Sequence, residues 1–136
     1  MRPMFVMLVV LTMAAPSTAL AQKCDPSDES QMGMTICANA DYEAADAKLN
    51  EAYGKVVEAL SDDPDGKKLL QTAQRVWIAF RDAECEFVNV DSKNGSIYPM
   101  LMSECLTELT EARTKQLSVN LDCGEGEVSC PAPAEQ

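Results

Sequence analysis

The chain has 136 residues, with 22 acidic against 11 basic side chains, a formal net charge of −11, and no histidine. That length fits one small domain. The charge argues against nucleic acid or anionic membrane surfaces as partners and favours basic ones. The missing histidine excludes Ser-His-Asp and Cys-His catalysis and every histidine-containing zinc site.

Residues 1–21 read as a secretory signal peptide. Arg2 forms a short positive region, residues 4–15 are apolar, and Ala19-Leu20-Ala21 ends the stretch in a small-x-small cleavage pattern. The apolar run is shorter than the roughly 20 residues a membrane-spanning helix needs. Lys23 stands directly before Cys24, where a lipoprotein signal requires a small residue. The expectation is therefore an exported chain, periplasmic or secreted, with neither membrane insertion nor a lipid anchor. Removing Arg2 with the leader leaves ten basic against 22 acidic residues, a net −12.

Residues 22–121 carry the pattern of one helical domain. Ser30 is the expected N-cap of the first helix. Apolar residues then recur at Met34, Ala38, Tyr42, Ala45, Leu49, Tyr53, Val56 and Leu60, at helical spacing. The stretch 61–66, Ser-Asp-Asp-Pro-Asp-Gly, ends that helix and starts the next, with Asp63 as N-cap and Pro64 in the first turn. It also resembles half of a calcium loop through Asp63, Asp65 and Gly66. The anchoring acids are absent, however, since Ser61 and Thr72 stand at the first and twelfth positions. Capping is the preferred reading.

The second helix shows a stripe of Leu69, Ala73, Val76, Phe80, Ala83 and Phe87, widened by Leu70, Trp77 and Ile78. This stripe is expected to face the core. Asn94-Gly95 marks a turn, and Asn94-Gly95-Ser96 matches a glycosylation acceptor that reads here as turn chemistry. A third helix is expected from about Ser96 or Pro99 to about Val119. Its stripe is Leu101, Cys105, Leu109, Ala112 and Gln116, flanked by Leu106, Arg113 and Leu117. Residues 122–136 have no period, and the end from Pro131 onward is expected to be disordered. The fold class is all-α: a disulfide-stapled, up-down-up three-helix bundle with a short irregular C-terminal tail.

Six cysteines in an exported chain argue for three disulfides. Cys123 and Cys130 close a tail loop. For the other four, the local pairing Cys24–Cys37 with Cys85–Cys105 is preferred. The rival, Cys37–Cys85 with Cys24–Cys105, is also sound, because Cys37 and Cys85 stand nearly level across an antiparallel helix pair.

With cysteines in disulfides and histidine absent, only carboxylates remain for catalysis. A slim bundle offers them little cleft, so a non-enzyme without cofactor or metal is expected. Trp77 reads as a packing residue. Arg81, Asp82, Glu84 and Arg113 lie close to the apolar stripes, and a guanidinium so placed must find partners. Asp46 and Asn50 on the first helix are the expected ones, making an inter-helix polar lock.

These residues resemble a known family. Cys37, Tyr42, Ala45-Asp46, Leu49-Asn50 and Tyr53 are followed by Gln74-x-x-Trp77-x-x-x-Arg81-Asp82-x-x-Cys85, then Gly95-Ser96, Cys105 and Arg113-x-x-x-Leu117. The set is similar to the LprI-like lysozyme-inhibitor family over about residues 24–121. Gly33 departs from it, standing where relatives usually carry Glu, and the tail disulfide loop is an addition. The resemblance implies a protein that binds and inhibits a basic lysozyme. The acidic loop tips are the expected contacts: Asp62, Asp63 and Asp65 at one end, Asp91 and Asn94 at the other. The alternative is a non-inhibitory envelope module that binds another protein or serves under stress.

Overall fold

A computed structural model describes residues 23–123 and 127–132. The expected signal peptide lies outside the described residues. Three helices make up the fold: α1 (Gln31–Ala59), α2 (Pro64–Val88) and α3 (Tyr98–Asp122), with a short 3-10 turn, Val90–Ser92, between α2 and α3. The bundle is all-α and stapled by disulfides, and no strand occurs among the described residues.

Both expected caps form. Ser30 Oγ accepts a hydrogen bond from the Gly33 N–H at 3.0 Å, and Asp63 Oδ1 accepts one from the Gly66 N–H at 2.8 Å with Pro64 in the first turn. Gly33 is buried, and a Cβ there would collide with both the side chain and the carbonyl of Asp28. The glycine lets the lead-in segment fold flat against the first turn of α1. That packing takes the place of the capping box a glutamate would complete. The third helix starts at Tyr98 and runs three residues beyond the expected Val119.

The closest helix pair is α1 with α3. Ala38, Ala45 and Ala52 recur every seventh residue on α1, and Ser103, Thr110 and Leu117 do the same on α3; all six are buried. Small side chains along the seam allow the two backbones to approach. Leu49, Val56, Leu60 and Leu117 fill the end of the bundle nearer the α1–α2 turn, with Tyr53, Leu70, Trp77 and Leu121 packed around them. This corrects the expected α3 stripe. Ala112 and Gln116 are exposed, and the buried line runs through the polar Ser103 and Thr110 instead.

The larger correction concerns α2. All six residues of its expected core stripe, Leu69, Ala73, Val76, Phe80, Ala83 and Phe87, are exposed. Only Arg81 and Cys85 of this helix are buried, with Leu70, Gln74 and Trp77 half-buried beside them. The physical reason lies in the width of the apolar arc. Leu70 and Trp77 sit about 100° around the helix from the Leu69–Phe80 line. The Cys85–Cys105 disulfide and the Arg81 contacts turn that second edge inward.

The disulfides are Cys24–Cys37, Cys85–Cys105 and Cys123–Cys130, with Cα separations of 4.6, 5.7 and 5.6 Å. The local pairing holds, and the rival Cys37–Cys85 with Cys24–Cys105 is not formed. The tail also departs from expectation. Ala132 is fully buried against Leu49, Ala52, Val56, Leu60 and Leu117, so the segment after Cys130 folds back onto the core at the end nearer the α1–α2 turn. Residues 133–136 lie outside the described residues. No helix among the described residues is long and apolar enough to cross a membrane.

Candidate functional site

The residues of the sequence signature converge where α2 meets the other two helices. Arg81 is buried, and its Nε and Nη2 both donate to Asp82 Oδ1, at 2.9 and 2.8 Å. Nη1 donates to Thr110 Oγ1 on α3 at 3.4 Å and lies 3.9 Å from Asp46 Oδ1 on α1. The guanidinium also lies over two rings, 5.5 Å from the Tyr42 centroid and 5.2 Å from that of Trp77. Arg113 lies 5.9 Å from the Trp77 centroid. It donates to Gln74 Oε1 at 3.1 Å and to Gln116 Oε1 at 3.2 Å. Burial lowers the Arg113 pKa from its ordinary value, and those amide oxygens and the ring offset the lost hydration.

This is the expected polar lock, with two changes. Asn50 donates to Asp46 Oδ2 at 2.9 Å rather than meeting an arginine, so it orients the carboxylate that faces Arg81. Arg113 bonds Gln74 on α2 instead of a group on α1. Tyr53 packs on the apolar core and Glu84 is half-buried. Every buried side-chain nitrogen and oxygen among the described residues has a partner. A fully satisfied cluster of this kind holds three helices in register; it offers a ligand no free valence.

The loop residues do not come together. Asp62, Asp63 and Asp65 are exposed at the α1–α2 turn, and Asp63 is occupied in capping. Asp91 and Asn94 are exposed at the other end of the bundle, separated from the first group by α2, about 37 Å at 1.5 Å per residue.

A second acidic feature lies between α1 and α3. A shallow groove of about 510 Å³ is lined by Asp41 of α1 and by Glu104, Glu108 and Glu111 of α3, with Met34 and Met100 among its apolar lining. Four carboxylates and no basic residue line it. Farther along the seam Lys48, Lys55 and Lys115 enter and the charge becomes mixed. The carboxylates line the groove without converging, and no group of three or more His, Cys, Asp or Glu among the described residues could hold a metal ion. The groove opens at the bundle end that carries Asp91 and Asn94. It lies on the side of α1 opposite Tyr42, Asp46 and Asn50, hence away from α2. Glu104, Glu108 and Glu111 share one face of α3 by their spacing. That face becomes a groove wall only because α1 and α3, far apart in sequence, lie side by side.

The chain has relatives by sequence. The chain is 39% identical over 129 residues to an uncharacterised protein of Rhizobium meliloti (strain 1021), covering 85% of this chain and 93% of that one. It is 32% identical over 112 residues to the uncharacterised protein YecT of Escherichia coli (strain K12), covering 72% of this chain and 68% of YecT. No solved structure matches it at a significant level. Residues 22–117 match the family described as lysozyme inhibitor LprI. That span contains all three helices up to the last turn of α3, two of the three disulfides, the Arg81–Trp77 lock and the acidic groove, and the chain belongs to the LprI lysozyme inhibitor family.

Proposed function

We infer that the protein binds a basic lysozyme and inhibits it, using the acidic groove between α1 and α3 as its principal contact. The family's name supplies the target class, and the observation that carries the site is the run of Asp41, Glu104, Glu108 and Glu111 with no basic residue among them. A cationic enzyme would be drawn to such a surface faster than a neutral one, and the attraction would weaken as salt is added. Met34 and Met100 give the groove adaptable apolar lining against which a partner's side chains can settle. Asp91 and Asn94 stand at the same end and would extend the contact; Asp62, Asp63 and Asp65 stand at the far end and would serve only a partner that spans the bundle. The three disulfides suit an oxidising compartment, where cell-wall hydrolases are met. The fold supplies binding and occlusion rather than chemistry.

The test is cell-wall lysis by lysozyme with the purified, disulfide-intact protein in excess, repeated across a salt titration. Inhibition at low salt that fades with added salt is expected, together with its loss in a Glu104→Lys, Glu108→Lys variant. Lysis unaffected at low salt overturns the inhibitor reading and leaves the non-inhibitory envelope module. Inhibition unchanged in the charge-reversed variant overturns the groove as its site.

A further inference from the structure

The outward stripe of α2 is the largest feature that neither the lock nor the groove accounts for. Leu69, Val76, Phe80 and Phe87 are 72, 65, 54 and 71% exposed. At about 200 Å² for a fully exposed large side chain, the four together present roughly 500 Å² of apolar surface on one helix face. That lies near the upper end of the largest apolar patch on an ordinary monomer, about 300–600 Å².

We propose that this face of α2 is a two-fold interface with a second copy of the same chain, the two α2 helices lying antiparallel. The stripe, Leu69, Ala73, Val76, Phe80, Ala83 and Phe87, alternates in steps of four and three. That is the spacing at which two helices pack knobs into holes. Its sizes read large, small, large, large, small, large in either direction. A closed two-fold contact requires this self-complementarity, since each position meets its mirror position on the partner. With the two-fold axis at the level of residue 78, Leu69 meets Phe87 of the copy, Val76 meets Phe80, and Ala73 meets Ala83.

Charge favours the same occupant. Within α1, five acidic residues face two basic ones, and within α3 four face two; α2 balances four against four. In a protein of net charge −11, α2 is thus the neutral one of the three described helices, where a like-charged copy meets least repulsion. Lys68 and Glu86 flank the same edge of the stripe near its two ends. Both are exposed, and neither forms an ion pair among the described residues. The antiparallel axis brings Lys68 of one copy within about 3 Å of level with Glu86 of the other, and does so twice. The apolar stripe with Ala79, Thr72 and the stems of Lys68 and Glu86 approaches the roughly 800 Å² per partner of a standard interface. Because the groove lies away from α2, the two surfaces can be occupied together.

Sedimentation equilibrium of the disulfide-intact protein, from about 1 to 100 µM, tests the proposal. A dimer is expected in that range, strengthened by moderate salt that screens the remaining acidic charge. Val76→Glu should give a monomer with unchanged helical circular dichroism, since the site is on the surface. Lys68→Glu should weaken the dimer by about tenfold, and adding Glu86→Lys should restore it. A wild-type monomer at the highest concentration overturns the proposal, as does a dimer indifferent to Val76→Glu. Failure of the Lys68→Glu, Glu86→Lys pair to recover association overturns the antiparallel register.

Discussion

Replacing Arg81 with Met tests the claim that the signature residues hold the bundle together. Met keeps the apolar stem and much of the volume but removes the guanidinium. Thr110 is fully buried, and Arg81 Nη1 at 3.4 Å is its described side-chain partner. Its hydroxyl would become the first unsatisfied buried group among the described residues, at about 1–3 kcal/mol. Contact with the Tyr42 and Trp77 rings adds about 0.5–1 kcal/mol each. The Asp82 pair contributes little, because that carboxylate is half-exposed and rehydrates. Removing a charge from the interior returns part of its desolvation cost. The net expectation is a loss of about 2–3 kcal/mol, a fall in Tm of roughly 8–15 °C for a domain of this size. Thermal unfolding followed by circular dichroism measures it. The double variant Arg81→Met, Thr110→Val should recover about 1 kcal/mol, because it removes the orphaned hydroxyl as well. A single variant within about 0.5 kcal/mol of the parent, or a double variant no better than the single, would refute the reasoning.

Three further outcomes follow from the same structure. Opening Cys85–Cys105 by a double Cys→Ser change should cost about 3 kcal/mol in the chain-entropy model, for a 20-residue separation. Non-reducing peptide mapping of the parent should recover that bridge, and a Cys37–Cys85 peptide would contradict it. Gly54→Ala should stabilise by up to about 1 kcal/mol, because nothing lies within 4 Å of the added methyl; Gly33→Ala should destabilise, because the methyl meets the Asp28 carbonyl as well as its side chain. Comparative chemical denaturation separates the two. Hydrogen bonds from Ser27 to Asp25, and from Ser30 to Asp28, hold both carboxyls below the ordinary 3.8. A depressed folded pKa contributes stability that is present above the unfolded value and lost as pH falls through the folded one. The lead-in before α1 should therefore loosen only under strongly acid conditions. Carboxyl-carbon NMR titration checks this, and midpoints at or above 3.8 for these two residues would contradict it.

Local chemistry was the part of the fold most legible in sequence. The two N-caps, the α1 stripe from Ala38 to Leu60 and the nearest-neighbour cysteine pairs each depend on residues close together in the chain. The rotation of α2 did not follow from periodicity. Leu69 and Phe80 on one line and Leu70 and Trp77 on the next form a single broad apolar arc, and only the tether at Cys85 and the contacts of Arg81 decide which edge turns inward. Ser103 and Thr110 lie off the apolar stripe of α3; they are buried because Ala38, Ala45 and Ala52 bring the opposing backbone close. The groove was hidden for the same reason, since Asp41 and Glu108 face one solvent channel only after α1 and α3 pair. The burial of Ala132 was not legible because a proline-flanked alanine carries no pattern, although the Cys123–Cys130 link returns the chain toward the bundle.

The three disulfides share one property of order. Each joins a cysteine to the next one along the chain, with separations of 13, 20 and 7 residues. As the chain emerges, Cys24, Cys85 and Cys123 are therefore each followed next by their own partner. An oxidant that joins thiols as they emerge reaches the native set without breaking a bond already made, and short loops close fastest in any case. The same chain reduced and unfolded in bulk meets all six thiols at once, with fifteen possible ways of pairing them completely. Its recovery should depend on whether oxidation is vectorial or simultaneous far more than on the thin core it has to rebuild.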